Sequence, residues 1–341
     1  MIETFHGAFP GAVPLACVAI DPEATVVELD GAPPDGRFEV GSLTKTMTGT
    51  LLARLAGEGL VELDENIGRW VAAGPHGEIT LRQLATHTSG LPRLAPGQTA
   101  GEDNPYAYLT EPVVESALRR AERTPGRDFA YSNFGYQVLG LALARVTGRP
   151  YGTILAELVL DPLGMTCSGV DGLGGGQRIT GYVDGKPAPH WDMPVPGPGG
   201  VETTAEDFGR YLAACLAPPP DALGTAIRLA QIPEARIDEH REIGLGWLIR
   251  DDRYVWHNGG TGGFAGSAAI DPAEGRALAI LAGTHGTAAH QLDRAVLTAL
   301  ADGDPREARP QTLGPQWEQF DAAGQAGGIR TLPPRSPHTS E

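Results

Sequence analysis

Residues 38–60 have the sequence FEVGSLTKTMTGTLLARLAGEGL, which contains one predicted helix with a serine at its start. Four large apolar side chains recur every fourth residue in this stretch: Leu43, Met47, Leu51 and Leu55. The spacing predicts one apolar stripe of an α-helix that ends near Gly57 and Gly59. Ser42 precedes the stripe, at the helix end where free backbone N–H groups and the positive end of the helix dipole stabilise a developing anion.

Lys45 is the unusual residue of this stretch, because lysine is almost absent from the chain. Of the 26 Lys and Arg residues, only Lys45 and Lys186 are lysines, and the other 24 are arginines. Both side chains are cationic, but lysine can lose its proton at a reachable free-energy cost and arginine in practice cannot. Lys45 lies one turn after Ser42 on the same helix face, so a neutral amine there would be the general base for the Ser42 hydroxyl. The alternative is a helix-capping serine followed by a surface lysine.

The composition limits the classes of partner and the compartment. The chain has 341 residues and a formal net charge of −16, which argues against nucleic acid, whose phosphates require a basic surface. The first cationic residue is Arg37. With no basic segment at the start and no apolar run long enough to span a bilayer, the sequence shows no signal peptide and predicts a cytoplasmic protein without a membrane partner. Cys17, Cys167 and Cys215 predict free thiols in a reducing compartment, with one disulfide as the alternative.

Strand patterns occur at both ends of the chain and helical patterns in the middle. Residues 11–40 alternate apolar segments with turns, and strand patterns return in GWLIR, RYVWH, GFAGSAAI and RALAILAG, before a closing helix at about 288–300. These patterns predict an α+β fold, an α/β sandwich in which one antiparallel sheet is built from both termini with helices on its faces. The predicted division has three parts: a discontinuous sheet domain at 1–75 and 225–303, a helical insertion domain at 76–224, and a disordered tail at 304–341.

The middle of the chain contains several helix boundaries and one long loop. Two capping-box patterns predict helix starts: Thr80 with Gln83, and Thr203 with Glu206. The segment YQVLGLALARVTG predicts a helix that ends at Gly148. The segment DGKPAPHWDMPVPGPGG, residues 184–200, predicts a Pro/Gly-rich loop that either lines a site or only connects two elements.

Two further segments contain side chains that could take part in catalysis or substrate binding. In FAYSNFGY, Tyr131 and Asn133 flank a serine just before a helix, and a phenol can relay protons while an amide can hold a carbonyl or an amine. In YVWHNGGTGGF, a strand that ends at His257 is followed by glycines, and the Gly260 N–H would pair with the Ser42 N–H as an oxyanion hole. The alternatives are a buried tyrosine with a helix-capping asparagine, and a glycine-rich turn beside a surface histidine.

Three motifs in this order, SxxK at Ser42, YxN at Tyr131 and HxG at His257, resemble those of the penicillin-binding-protein and class C β-lactamase-like serine hydrolases. The likeness extends over about residues 11–302 and includes ITLRQLATHTSGLP and GGVETTAEDFGRYL. It implies the β-lactamase/transpeptidase-like fold. It also implies that Ser42 is the acylated nucleophile and that Lys45 and Tyr131 share the acid and base work.

By the same resemblance, Asn133 would bind the substrate and Lys45, and His257 and Asn258 would also bind the substrate. The third motif departs from the usual pattern, because β-lactamases of this class have Lys-Thr-Gly where this chain has His257-Asn258-Gly259. A lysine at that position helps to hold the substrate carboxylate, so the absence of this lysine argues against a penicillinase. Histidine at this position resembles the esterases and D-amino-acid peptidases of the family.

The sequence does not support three other kinds of site: a dinucleotide-binding loop, an α/β-hydrolase nucleophile and a metal centre. The segment GTGGFA at 260–265 imitates a dinucleotide-binding fingerprint but precedes a strand, and no GxSxG nucleophile elbow occurs. The chain has no HExxH or paired Cys/His spacing, so neither a metal nor a cofactor is predicted. We interpret His87, in ATHTSG, as a hydrogen-bonded structural histidine and not as a base.

The sequence therefore predicts a serine hydrolase or acyltransferase that forms an acyl-enzyme on Ser42. Its substrate would be a small-molecule or short-peptide ester or amide, and its activity would be most similar to that of a carboxylesterase. One alternative is a β-lactamase, a D-alanyl-D-alanine carboxypeptidase or a D-amino-acid peptidase. The other is a non-catalytic scaffold that only binds a ligand. The oligomeric state is left open.

Overall fold

The computed structural model describes residue 2 and residues 13–99, 103–126, 128–170, 172–285 and 292–301, all within one compact unit. In these residues the strands are β1 Leu15–Ile20, β2 Thr25–Asp30, β3 Gly36–Glu39, β4 Gly169–Val170, β5 Gln177–Arg178, β6 Gly181–Val183, β7 Lys186–Ala188, β8 Val201–Thr203, β9 Ala235–Arg236, β10 Arg241–Ile243, β11 Leu248–Arg250, β12 Tyr254–Gly260, β13 Ala265–Asp271, β14 Arg276–Ala282 and β15 Thr284–His285.

The α-helices of the described residues are α1 Thr44–Gly57, α2 Leu81–Ala85, α3 Glu111–Arg120, α4 Asn133–Thr147, α5 Tyr151–Leu155, α6 Ala205–Leu216, α7 Ala222–Ala230 and α8 Leu292–Ala301. Single turns of 3-10 helix lie at Gly41–Leu43, Ile67–Arg69, Gly74–His76 and Asp161–Leu163, and a π-helical turn lies at Ala156–Leu160.

An eight-stranded sheet forms the centre of the fold, with the strand order β2-β1-β14-β13-β12-β11-β10-β9. Every neighbouring pair in this sheet is antiparallel. β1 pairs along its whole length with β14, from Leu15 opposite Ala282 to Ile20 opposite Ala277. The predicted antiparallel sheet built from both ends of the chain, and with it the α+β fold class, is therefore confirmed.

Both faces of this sheet are covered, which explains why β1 is apolar along its whole length. Successive residues of a strand point to opposite faces. Val18 packs into the cluster that includes α1, and Cys17 packs into the cluster that includes α8. All six residues of β1 are buried. A sheet with helices on both faces is the sandwich that the sequence pattern predicted.

Helix α1 is buried on all sides from Thr44 to Ala53, and not only along one stripe. The four residues of the predicted stripe are fully buried, and Thr46, Thr48 and Thr50 are buried as well. Each threonine hydroxyl donates to the carbonyl oxygen three or four residues earlier in the chain. These bonds satisfy the hydroxyls inside the protein, so the helix can lie in the core although its sequence alternates polar and apolar residues.

Close backbone contacts fix α1 in the core. A Cβ atom on Gly49 would lie 1.8 Å from the carbonyl oxygen of Leu245, so only glycine allows this approach. On another side, Thr48 Oγ1 lies 2.8 Å from the Gly197 carbonyl oxygen, and Thr44 Oγ1 accepts the Val201 N–H at 3.1 Å. The loop between β7 and β8 is therefore fastened to the first turns of α1.

Two predicted helix boundaries agree with the structure and one does not. The capping box of Thr80 and Gln83 is present, and α4 ends at Gly148, whose φ is +65°. The second predicted cap is displaced by one residue, because Thr204 caps α6 by accepting the Asp207 N–H at 3.2 Å. The adjacent Thr203 fits the same pattern, but it ends β8 instead.

The third predicted strand lies outside the main sheet. β3 pairs with β8 and β5 in a four-stranded sheet with the order β4-β8-β3-β5, and a three-stranded sheet has the order β15-β6-β7. The closing helix is described from Leu292 to Ala301. The predicted disordered tail at 304–341 lies outside the described residues, and the division into sheet and helical domains stays a prediction.

Two glycines of α1 provide a matched test of this packing. We expect Gly49→Ala to lower the free energy of unfolding by about 3 kcal/mol, the upper end of the usual cost of overpacking, because the added methyl overlaps the Leu245 carbonyl oxygen. Gly57→Ala is the control, since nothing lies within 4 Å of a Cβ at that position. The control should be neutral or stabilising by up to about 1 kcal/mol, as expected from helix propensity. Urea unfolding of both variants gives the comparison, and equal stabilities would contradict the described packing of α1.

Candidate active site

Ser42 and Lys45 lie at the start of α1 and are in direct contact. Ser42 belongs to the 3-10 turn Gly41–Leu43, and Lys45 is the second residue of the helix. The Lys45 Nζ is 2.8 Å from the Ser42 Oγ and donates to the Pro198 carbonyl oxygen at 2.6 Å. The Lys45 side chain is completely buried. The alternative interpretation of Lys45 as a surface lysine is therefore wrong.

The surroundings of Lys45 favour the neutral amine. Burial holds the pKa of Lys45 well below its usual value, and the positive charge of Arg93 lowers it further. Within the described residues, Lys45 forms no ion pair with a carboxylate that would oppose this shift. The ring centroids of Tyr131 and Tyr136 lie 5.1 and 5.4 Å from the Nζ, a contact that favours the cation, but burial outweighs it.

Tyr131 lies beside the same two side chains. Burial raises its pKa to about 12, although a hydrogen bond with the Ser42 hydroxyl and the charge of Arg93 act in the opposite direction. The phenol therefore keeps its proton at neutral pH. A protonated phenol next to a serine hydroxyl and a neutral amine is a proton donor in place for a leaving group.

His87 supports the turn that presents Tyr131. Its imidazole lies 4.3 Å from the Tyr131 ring, and its Nδ1 accepts the Ser132 N–H at 3.1 Å. The Ser132 hydroxyl donates to the Pro92 carbonyl at 2.6 Å and caps α4. Burial is the main cause that holds the pKa of His87 well below its usual value, so the ring is neutral. The hydrogen bond is the structural one that the sequence analysis expected for this histidine.

Asn133 lies next to Tyr131 but has a different partner from the one expected. Its Nδ2 donates to the Tyr106 hydroxyl at 2.9 Å, and its buried Oδ1 has no hydrogen-bond partner among the described residues. It therefore does not contact the Lys45 amine, whose position is fixed by Pro198 instead. Tyr106 in turn packs against Trp191, with ring centroids 5.5 Å apart. The free Oδ1 remains available for an N–H group of a ligand.

The third motif lies on β12, opposite Tyr131. The His257 ring is buried, and its centroid lies 6.3 Å from that of Tyr131. Its Nδ1 bonds to the Asn258 carbonyl oxygen, and its Nε2 has no partner among the described residues. Burial is the main cause that lowers the pKa of His257 to about 3, and protonation of Lys45 would lower it further. The imidazole is therefore neutral, and this motif supplies no positive charge to a substrate.

The structure does not bring the Asn258 side chain to the site. His257 and Asn258 are consecutive in β12, so their side chains point to opposite faces of the sheet. The Asn258 Nδ2 donates to Asp293 on α8, which covers the far face. The structure therefore does not support the expected contact of Asn258 with substrate, because consecutive residues of a strand point to opposite faces of the sheet.

Glycines on both sides allow β12 to lie against the backbone of Ser42. A Cβ atom on Gly259 would lie 1.9 Å from the Val40 carbonyl oxygen and 2.9 Å from the Ser42 nitrogen. Gly41 has a φ of +50°, and a Cβ there would lie 2.5 Å from the Gly260 nitrogen. The amides of Ser42 and Gly260 therefore belong to adjoining backbone segments. The oxyanion hole that they would form stays a prediction.

The sequence analysis missed three contributors to the site. Pro198 fixes the Lys45 amine, and Tyr106 and Trp191 form the aromatic contact beside Asn133. The Pro/Gly-rich segment at 184–200 gave a partial signal, and the structure shows that this loop lines the site. Tyr106 had no recognisable signal, because its position depends on a loop that approaches Asn133 from 27 residues earlier in the chain.

Comparison with known proteins agrees with this geometry. Residues 6–303 match the Beta-lactamase family. The chain belongs to the beta-lactamase family. A D-alanyl-D-alanine-carboxypeptidase/endopeptidase, AmpH of Escherichia coli, is 32% identical over 184 residues, which cover 47% of this chain and 46% of AmpH. The chain spans about half the length of the curated relatives it matches.

Solved structures of beta-lactamase-family proteins show the same fold. A beta-lactamase/D-alanine carboxypeptidase from Yersinia pestis is similar with a TM-score of 0.70 and 25% identity, over 84% of this chain and 91% of that chain. A class C beta-lactamase from Rhodobacter sphaeroides is similar with a TM-score of 0.70 and 20% identity, over 81% of this chain and 91% of that chain. The resemblance to the penicillin-binding-protein and class C β-lactamase-like family is thus confirmed.

Two further features of the described residues concern membrane-spanning helices and metal sites. In the described part of the chain, no helix is long and apolar enough to cross a membrane. Among the same residues, no group of three or more His, Cys, Asp or Glu side chains is arranged to hold a metal ion. The cytoplasmic location and the small-molecule or short-peptide partner stay predictions.

The buried amine of Lys45 predicts a pH-dependent contribution to stability. Because its pKa is lower in the folded protein than in the unfolded chain, unfolding takes up a proton at any pH between the two values. The folded state should therefore gain stability relative to a Lys45→Met variant as the pH rises toward about 10.4, by up to about 1.4 kcal/mol per pH unit.

Urea unfolding of the wild type and Lys45→Met between pH 6 and 10 measures this difference. Lys186→Met is the control for loss of a lysine, because Lys186 is exposed in β7. A stability difference between the wild type and Lys45→Met that does not change with pH would contradict the lowered pKa of Lys45.

Proposed function

We propose that the protein is a serine hydrolase that forms an acyl-enzyme on Ser42 with an ester or amide substrate, and that esters are its better substrates. The observation that supports this most strongly is the 2.8 Å contact between the Ser42 Oγ and the fully buried Lys45 Nζ. A buried amine with a lowered pKa next to a hydroxyl has the arrangement of a nucleophile with its general base.

In the acylation step, the Ser42 hydroxyl donates its proton to the neutral Lys45 amine, and the Oγ attacks the substrate carbonyl carbon. The developing oxyanion accepts hydrogen bonds from the Ser42 and Gly260 N–H groups, which already lie in adjoining segments and need no reorganisation. The Tyr131 phenol gives its proton to the leaving group, and the Lys45 ammonium returns a proton to the Tyr131 oxygen. Each group then has its starting protonation state, with the acyl group on Ser42.

Deacylation repeats these proton transfers with water in place of Ser42. A water molecule loses its proton to the base, attacks the acyl carbon and releases the acid, and Ser42 takes a proton back. An alcohol or amine in place of water would give acyl transfer by the same steps. Hydrolysis and acyl transfer therefore use the same residues.

The preference for esters follows from the third motif. His257 is neutral, so it cannot form an ion pair with the carboxylate that penicillins and cephalosporins present to this part of the site. A second candidate function is hydrolysis of D-alanyl peptides. Its support is the similarity to AmpH, a D-alanyl-D-alanine-carboxypeptidase/endopeptidase, and to the Yersinia pestis beta-lactamase/D-alanine carboxypeptidase.

The acyl-enzyme is tested by labelling and by one conservative substitution. A fluorophosphonate should label the wild type on Ser42 and should not label Ser42→Ala. Lys45→Arg should label and turn over substrate at least about 10²-fold more slowly, because arginine keeps the charge but cannot act as a base near neutral pH. Intact-mass spectrometry and ester hydrolysis measure both quantities.

Lys186→Arg is the matched control, because it makes the same change at the only other lysine of the chain. It should behave as the wild type. If Lys45→Arg retained more than about a tenth of the activity, Lys45 would act as an orienting charge, and Tyr131 would be the better candidate for the base. Absence of labelling in the wild type would favour the non-catalytic scaffold.

Substrate preference is tested with a matched kinetic comparison. We expect kcat/KM to be higher for 4-nitrophenyl acetate than for a chromogenic cephalosporin, because neutral His257 provides no charge for the cephalosporin carboxylate. His257→Lys should narrow the gap between the two substrates. A wild-type preference for the cephalosporin would contradict the proposed specificity.

A further inference from the structure

Arg93 lies at the mouth of the site on the loop that follows α2. Its carbonyl oxygen accepts the Asn133 N–H at 3.0 Å and the Phe134 N–H at 3.2 Å, so its backbone is fixed to the start of α4. Its side chain is exposed, and the guanidinium carbon lies 5.2 Å from the centroid of the Tyr131 ring. The cation is therefore held beside the residue proposed to protonate the leaving group, with one side open to solvent.

The guanidinium has no carboxylate partner among the residues that the structure describes. Many arginines of this acidic protein are paired with carboxylates, as in Arg82 with Asp64 and Arg145 with Glu111. Arg93 forms no such ion pair with any residue that the structure describes, and its guanidinium lies over the Tyr131 ring. An unpaired guanidinium presents several N–H donors in a planar fork that matches a carboxylate or a similar anion.

The field of Arg93 extends over the reacting groups. Burial is the main cause of both pKa shifts: it lowers the pKa of Lys45 and raises the pKa of Tyr131. The charge of Arg93 acts to lower the pKa of both groups. No carboxylate among the described residues contributes to either shift. In a chain of net charge −16, this site is thus locally positive.

We propose that Arg93 binds an anionic group of the substrate, a carboxylate within a few bonds of the scissile carbonyl, and that the substrate class is a carboxylate-bearing ester or amide. The inference rests on the proposed function of Ser42. It adds a recognition element on the loop after α2, away from β12, where the third motif supplies no charge. A bidentate ion pair at this position would orient the substrate before acylation.

Two pairs of substrates test the proposal, each with the carboxylate free or capped as a methyl ester. The first pair has the charge in the acyl group: mono-4-nitrophenyl adipate and methyl 4-nitrophenyl adipate. The second pair has it in the leaving group: 3-acetoxybenzoate and methyl 3-acetoxybenzoate. The measured quantity is the ratio of kcat/KM for the charged and the capped member. A ratio is needed because Arg93 also affects the pKa of Lys45, which changes the rates of both members equally.

Arg93→Gln should lower this ratio about tenfold or more in at least one pair, and Arg93→Lys should restore part of it. Arg145→Gln is the control, because Arg145 is exposed on α4 and paired with Glu111, and its ratio should equal that of the wild type. An unchanged ratio for Arg93→Gln in both pairs, with normal turnover of the capped esters, would overturn the inference and leave the proposed function intact.

A binding measurement separates this inference from the chemistry of Ser42. In a Ser42→Ala background, calorimetry should show tighter binding of the charged ester than of the capped ester in at least one pair. Adding Arg93→Gln should remove this preference. If the wild type neither turned over the esters nor reacted with a fluorophosphonate, the proposed function would fail, but a binding preference lost with Arg93 would still support the anion site. Equal binding of charged and capped esters would overturn it.

Discussion

The contact between a buried, unpaired lysine amine and a serine hydroxyl is the constraint on which the rest of this structure depends. Lys45 can act as a base only if water and carboxylates are kept away from it, since either would restore its ordinary pKa. Residues 44–53 of helix α1 therefore lie inside the protein on all sides, and the threonine hydroxyls bond to the helix's own backbone. The Pro198 carbonyl accepts a hydrogen bond from the amine itself.

The same requirement explains the glycines around the site. Gly49 allows α1 to approach the Leu245 carbonyl, and Gly41 and Gly259 allow β12 to lie against the backbone of Ser42. The backbone amides proposed to bind the oxyanion are thus held by the fold before any substrate arrives. Arg93 places a positive charge at the edge of this buried region. Its charge lowers the pKa of Lys45, and its guanidinium offers a contact for an anion.

Much of this could be predicted from the sequence, because the decisive signals are local. The rarity of lysine pointed to Lys45, the four-residue spacing located α1, and the continuous apolar runs located β1 and β14. The failures have physical causes. The face of Asn258 depends on strand alternation, the cap at Thr204 competes with an equivalent pattern at Thr203, and Tyr106, Trp191, Pro198 and Arg93 reach the site only through tertiary contacts.

The central claim is that Lys45 is neutral in the folded protein at neutral pH. Because the chain has only two lysines, selective ¹³C and ¹⁵N labelling of lysine gives a spectrum with one site of interest and one internal reference, the exposed Lys186. A pH titration followed by NMR should show the Lys45 signal titrating far below the ordinary lysine pKa of about 10.4. A Lys45 signal that titrates near 10.4 would contradict the account.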